Sequence, residues 1–269
     1  MGEVVRYWAF GAATALWVSG LLMMSAATAA GEEYRLAGVT FVGSQVAKHE
    51  RAEAMPSGRQ DGLSGHDVSS HQGKVDWAGA WAGGARFAYV KATEGNAYAS
   101  PWFAQQYDGA YGAGMLRGAY HFARPDVSSG ADQANYFVDH GGGWSPDGQT
   151  LPGALDIEYN PYGDTCYGLD PVAMSWWLRD FSDTYRDRTG RYPVIYTSTT
   201  WWNRCTGANP NFAPNNPLWV ARYNTSVGAL PAGWTSQWIW QFAAAGALPG
   251  NQDTFDGSQD RLRDIALDQ

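Results

Sequence analysis

From residue 63 onward the chain alternates between two hydrophobic rhythms. Short runs in which every second residue is apolar fall at 63–68, 86–95, 115–125, 151–158, 193–198, 217–223 and 238–243, and they predict strands. In 86–95, Phe87, Tyr89 and Lys91 share one face, with Ala88 and Val90 on the other. Between these runs lie longer stretches with helical spacing. One covers 77–84 behind Asp76 as an N-cap, and another covers 101–114, opened by Ser100-Pro101 and stopped by Gly114. Others cover 130–140, 170–189 closed by Gly190, and 256–267 with Ser258 or Asp256 as its cap. The helical signal is weak or missing after 198 and after 223. Strand and helix alternate over about 200 residues without an internal linker, which predicts a parallel sheet wrapped by helices. Seven or eight such strands in series make an α/β fold, an irregular barrel in the TIM style.

In such a barrel the chemistry gathers at the carboxyl ends of the strands. The stretch LPGALDIE, 151–158, is the most informative of these ends. Side chains alternate, so Asp156 and Glu158 project to one side and Leu155 and Ile157 to the other. Two acids that close together repel when buried, and one of them keeps its proton. A glycosidase needs that division, with one carboxyl as acid and another ionised to steer or attack. A solvated strand end carrying two acids by coincidence is the competing explanation. Asp67, Lys91, His121, Tyr196, Tyr223 and Gln241 fall at corresponding ends of other predicted strands, and this convergence weighs more than any one motif.

Composition narrows the class further. The chain has 269 residues, 45% hydrophobic and 16% charged, which is globular and sufficient for a sizeable core. The formal net charge is -8 and no basic stripe appears, so nucleic acid is not an expected partner. Fourteen Trp and 15 Tyr suit both core packing and stacking on sugar rings. No GxGxxG follows the first strand and there is no P-loop or Gly-x-Ser-x-Gly elbow. His66 and His71 lack a third ligand at metal spacing, so no metal and no other cofactor is expected.

The N-terminus reads as targeting rather than fold. MGEVVR precedes an apolar run and the small residues SAATAA, so residues 1–30 predict a secretory signal peptide with Ala27-Thr28-Ala29 as cleavage box. A retained membrane anchor is the alternative. Residues 31–62 are polar and aperiodic and predict a flexible leader, with the domain occupying 63–269. Secretion gives the two cysteines a role: Cys166 and Cys205 are the only pair in an oxidising compartment, which predicts one disulfide over two buried thiols.

Taken in order, GHDVSSHQG, VKATEG, RGAYHFARP and LPGALDIE resemble the motifs of glycoside hydrolase family 25, the Chalaropsis-type lysozymes. The resemblance runs from Gly65 to the C-terminus. It implies a modified β/α barrel and metal-free hydrolysis of the β-1,4 bond between N-acetylmuramic acid and N-acetylglucosamine in peptidoglycan. Glu158 matches the family's general acid/base, Asp156 the carboxylate beside it, and Asp67 the aspartate closing the first strand. Asp156 would steady the substrate's own 2-acetamido group as it attacks C1, in a retaining reaction; direct attack by a carboxylate is the alternative. The segment CYG…WWNRC also resembles the disulfide-bearing part of secreted bacterial members. One departure stands out. Where the family pattern is D-x-N-x-F, this chain has Asn251 and Asp253 in GNQDTF, so one cleft carboxylate is an amide or the acids have shifted register.

The remaining candidates have bland alternatives. Tyr120 and Phe122 flank His121 and share a face, with Tyr120 a cleft wall in the family pattern or an ordinary core tyrosine. Lys91 and Glu94 are substrate-binding candidates that also suit a local ion pair. Tyr196, Tyr223 and Trp240 are candidate stacking surfaces beside Gln241, although packing is the commoner role for a Trp. The expectation is a secreted, extracellular, monomeric muramidase acting on peptidoglycan glycan strands, without membrane contact after signal cleavage. A chitinase-like glycosidase and a non-catalytic wall-binding protein on the same barrel are the alternatives, and Asn251 is the feature favouring the last.

Overall fold

The computed structural model of the chain describes residues 1–2, 40–50 and 61–268. The expected signal peptide therefore lies almost wholly outside the described residues. From Thr40 on, everything described belongs to one unit spanning Ala37–Gln269.

Among the described residues, nine strands form one sheet: β1 (Leu63–Val68), β2 (Phe87–Glu94), β3 (Tyr98–Ala99), β4 (Leu116–Phe122), β5 (Ala154–Asp156), β6 (Val194–Thr197), β7 (Leu218–Ala221), β8 (Ile239–Ala243) and β9 (Asn251–Phe255). Their order is β1-β9-β8-β7-β6-β5-β4-β2-β3, and β1 also pairs with β2, so all but the short β3 close into a barrel. The pairs from β1–β2 through β7–β8 are parallel. β9 runs antiparallel to both neighbours, which makes the barrel mixed rather than purely parallel. The expected irregular α/β barrel is observed, with its irregularity at this closing strand.

The helices are α1 (Val46–His49), α2 (Trp77–Ala82), α3 (Phe103–Gly112), α4 (Gly130–Phe137), α5 (Pro171–Thr189), α6 (Thr199–Thr206) and α7 (Gln259–Leu267). Caps set several boundaries. Asp76 accepts from Gly79 N, Asp170 from Val172 N and Ala173 N, and Ser258 rather than Asp256 accepts from Arg261 N. Gly190 ends α5 in the left-handed region at φ 79°, where L side chains are disfavoured. The helix expected through residue 140 stops at Phe137 and gives way to a π-turn over Val138–Gly142. α6 was not expected, because its Thr-Thr-Trp-Trp start has poor helix propensity. Ser198 caps it by accepting from Trp201 N, and burial of Trp201 and Trp202 holds it.

Alternation along the strands separates two apolar layers. Phe87, Tyr89, Tyr120, Ala154, Tyr196 and Trp219 fill the barrel interior. Leu155, Ile157, Phe137, Leu178 and Phe181 lie between barrel and helices. β5 is shorter than the strand expected over 151–158, since the Pro152-Gly153 entry interrupts the ladder. Gly153 is required there: a Cβ would sit 2.6 Å from the Tyr185 hydroxyl, which instead accepts the Gly153 N–H at 2.7 Å. Past the strand, Ile157 N donates to Tyr196 O at 3.0 Å, so the backbone bearing Glu158 stays pinned to β6.

Cys166 and Cys205 form a disulfide with a sequence separation of 39 and a Cα–Cα distance of 5.4 Å. It ties the loop after Glu158 to α6. Replacing both cysteines by serine should lower unfolding free energy by about 2–5 kcal/mol. Calorimetry with and without reductant measures this, and loss of stability under reductant should be absent in the double variant.

Residues 31–62 were expected to be a flexible leader, but Thr40–Glu50 is docked in the barrel mouth. Val42 and Val46 are fully buried among Tyr120, Tyr196 and Tyr223. The reason is local to the pattern: these two valines, four apart on one face of α1 and its preceding turn, are the apolar residues a tyrosine-lined mouth accepts.

Candidate active site

At the carboxyl ends of the strands the barrel gathers Asp67, Asp156 and Glu158, with Asp253 one layer deeper, all essentially without solvent exposure. Asp67 ends its strand in a fixed network. Gln241 Nε2 donates to Asp67 Oδ2 at 2.6 Å and Asn251 Nδ2 to Asp67 Oδ1 at 3.1 Å. Gln241 is oriented in turn by the hydroxyls of Tyr196 at 2.8 Å and Tyr223 at 2.7 Å, both donating to its Oε1. Tyr196 on β6 and Tyr223 just past the end of β7 thus decide which way the amide points, and the amide decides how Asp67 is held. Burial raises the Asp67 pKa to about 8 against hydrogen bonds from Gln241, Asp253 and Asn251.

Asp156 is in the opposite situation. Neither of its carboxyl oxygens has a hydrogen-bond partner among the described residues. Burial first, and then the Glu158 charge, push its pKa well above the ordinary value, with Lys91 opposing. A buried acid without partners costs about 1–3 kcal/mol, a cost that folds tolerate mainly at functional sites.

Glu158 accepts three backbone N–H groups, all from the mouth segment: Gly43 N at 2.8 Å to Oε1, and Gln45 N at 3.1 Å and Val46 N at 2.8 Å to Oε2. Burial raises its pKa to about 8, while these donors pull it down. Deeper in the barrel Trp219 Nε1 donates to Asp253 Oδ1 at 3.0 Å, and burial together with the Asp67 charge raises Asp253 well above the usual carboxyl range.

Lys91 and Glu94 form a buried ion pair at 2.6 Å, with side chains 0% and 1% exposed. The Tyr162 hydroxyl donates to Glu94 at 2.6 Å, and the Phe122 ring lies 5.3 Å from the lysine Nζ. Tyr120 lines the mouth, its hydroxyl accepting Val42 N at 3.3 Å.

Two expected site residues point elsewhere. His121 faces the helices, between Thr93 Oγ1 at 2.8 Å and Gln133 Oε1 at 2.9 Å, and burial lowers its pKa to about 3. Trp240 is adjacent to Gln241 on β8, so it faces the opposite side, where its Nε1 donates to Arg222 O at 2.8 Å. Sequence reasoning also missed Trp219, although it shares a strand face with Ala221 and Tyr223 and that alternation could have placed it.

Comparison with known proteins completes the picture. The sequence matches glycosyl hydrolases family 25 over residues 66–251. The chain belongs to that family. This family 25 glycoside hydrolase is 47% identical over 208 residues to the N,O-diacetylmuramidase of Chalaropsis sp., covering 76% of this chain and 99% of the relative. It is 47% identical over 210 residues to lysozyme M1 of Streptomyces globisporus, covering 76% and 71%. Among solved structures, the muramidase of Acremonium alcalophilum superposes with a TM-score of 0.76 at 53% identity, over 77% of this chain and 100% of its own.

Asn251 in this family 25 enzyme is more than a missing acid, because its amide bridges Asp67 and the Val42 carbonyl. Asn251→Asp would add a further carboxyl beside the interacting Asp67 and Asp253 and remove a donor, so the added acid must stay protonated. Its folded pKa would be raised. The stability it carries is therefore present at acid pH and lost as pH rises. A melting temperature close to wild type at pH 4 and lower by several degrees at pH 8, from a deficit of about 1–3 kcal/mol, is the expected result.

Proposed function

We propose that this glycoside hydrolase is a secreted muramidase, cutting the β-1,4 bond between N-acetylmuramic acid and N-acetylglucosamine in peptidoglycan. The observation that carries this reading is the pairing of Glu158, a buried carboxyl raised to about 8, with Asp156, a buried carboxyl whose oxygens are both unpartnered. An acid catalyst must be protonated at working pH and within reach of the leaving oxygen, and a raised pKa serves the first requirement. Glu158 protonates the glycosidic oxygen. Asp156 then receives the N–H of the 2-acetamido group and holds its carbonyl oxygen against C1, so configuration is retained through the substrate's own amide. Asp67, held by Gln241 and Asn251, binds the sugar through a fixed carboxyl. The names of the relatives, a diacetylmuramidase and lysozymes, support muramic acid over chitin as substrate. The apolar run near the N-terminus supports export.

The test is digestion of purified peptidoglycan by the intact chain and by Gly43→Val, in which the mouth segment loses its fit. Reducing-end muramic acid is expected among the products. Reducing-end glucosamine would make the enzyme a glucosaminidase instead.

A further inference from the structure

The acid just assigned to the substrate's leaving oxygen is already occupied by the chain itself. Glu158 is spent on the N–H groups of Gly43, Gln45 and Val46. The Tyr223 hydroxyl meets Gly43 O at 3.1 Å, Asn251 bonds Val42 O, and Lys91 Nζ donates to Thr40 O at 2.7 Å. At the outer rim, His49 stacks on Tyr159 with ring centroids 4.4 Å apart, and Glu50 accepts from the Tyr159 hydroxyl at 2.9 Å and from Ser198. Thr40–Glu50 therefore satisfies, with backbone amides and carbonyls, the hydrogen bonds an acetamido sugar would need. Sugar and segment cannot be in the site together, because Glu158 and Asp156 have no exposed surface while the segment is present.

We infer that Thr40–Glu50 is an intramolecular inhibitor, a pro-segment that holds this hydrolase inactive until it is displaced or cut away. The inference rests on the reading of this mouth as the glycan site. Two further facts support it. The solved chain of the Acremonium alcalophilum muramidase aligns over its whole length with 77% of this chain, so a fold of this kind is complete with fewer residues than this chain has. The fit is also stereospecific: Gly43 has φ +83°, and a Cβ there would lie 2.2 Å from the Tyr223 hydroxyl and 2.3 Å from Gln241 Oε1. Only glycine passes through that gap. The backbone conformation is one that L residues rarely adopt, so any side chain is penalised twice.

Gly43→Val, with Val46→Asp as an independent second variant, tests this in the full chain. Hydrogen exchange reads whether residues 40–50 are docked, and peptidoglycan clearing reads whether docking inhibits. Expected are protected amides at Gly43, Gln45 and Val46 in wild type, loss of that protection in both variants, and clearing at least roughly tenfold faster than wild type, because the competent fraction sets the apparent rate. A synthetic peptide of residues 40–50 should then inhibit Gly43→Val competitively, raising KM at unchanged kcat, while the same peptide with valine for glycine should not. Unprotected amides in wild type, or equal clearing by wild type and both variants, overturns the inference. Protection that is lost as expected, with no clearing by any form, sinks the muramidase reading and the inhibitory role with it, leaving the docked segment as structure alone.

Discussion

In the Gly43→Val background, where the mouth is open, Glu158→Gln should lower kcat on peptidoglycan by about 10²–10⁴-fold, the range that one positioned acid/base contributes. The change is nearly isosteric. Glutamine still accepts hydrogen bonds through Oε1, so KM should stay within a few-fold and the barrel should remain folded. What disappears is the proton for the leaving oxygen. The same substitution fixes the assignment of the pH profile. An acid works only while protonated, so the wild-type rate falls as pH rises through the Glu158 pKa. With the mouth filled, burial holds that pKa at about 8, above the ordinary 4.5. Admitting water and sugar removes part of the burial, so the alkaline limb of a segment-free form should lie between those two values. Because Asp156 and Glu158 interact, the limb belongs to the pair. The residual rate of Glu158→Gln should show no such limb. A variant that keeps its rate within tenfold and its limb in place would mean that another group is the acid.

Much of this site was legible from alternation alone. Asp67, Tyr120, Asp156, Tyr196 and Gln241 each sit at the inward phase of a strand end, and period two fixes phase once the buried face is known. The same rule excludes Trp240 once Gln241 is taken as inward, and it turns His121 out once Tyr120 is taken as cleft wall. β9 was harder to see as part of a barrel. Its residues Asn251, Gln252, Asp253 and Thr254 are polar and buried together, so no apolar rhythm marks it. It is readable only through its partners, since Asn251 faces Asp67 across the β1 ladder and Asp253 faces Gln241 across β8. The mouth segment could not be read at all. A stretch of eleven residues with two anchoring valines carries no periodic signal, and what orders it is a ring of tyrosines and acids contributed by distant strands.

Lys91→Met should destabilise the fold by about 3–5 kcal/mol, the usual cost of leaving one charge of a buried pair alone. Glu94 is the charge left behind. Its other contacts, with the hydroxyls of Tyr162 and Thr40, are acceptor bonds that cannot neutralise it. At about 2–4 °C per kcal/mol for a domain of this size, the melting temperature should drop by roughly 10 °C. Adding Glu94→Gln to the same chain removes the stranded charge and offers an acceptor to one hydroxyl and an N–H to the oxygen of the other, so about half of the loss should return. The double variant separates the two roles open to Lys91. If the lysine serves the fold, clearing well below the melting temperature stays within a few-fold of the matched Lys91 protein. If it holds the glycan, activity stays low when stability has recovered, because neither methionine nor glutamine can replace a cation facing the sugar. The geometry favours the fold: Nζ is enclosed by Glu94, the Thr40 carbonyl and the faces of Tyr98 and Phe122. Thr40 belongs to the mouth segment, so the double variant should also loosen docking, and faster clearing than wild type would tie the ion pair to the hold on that segment as well as to the barrel.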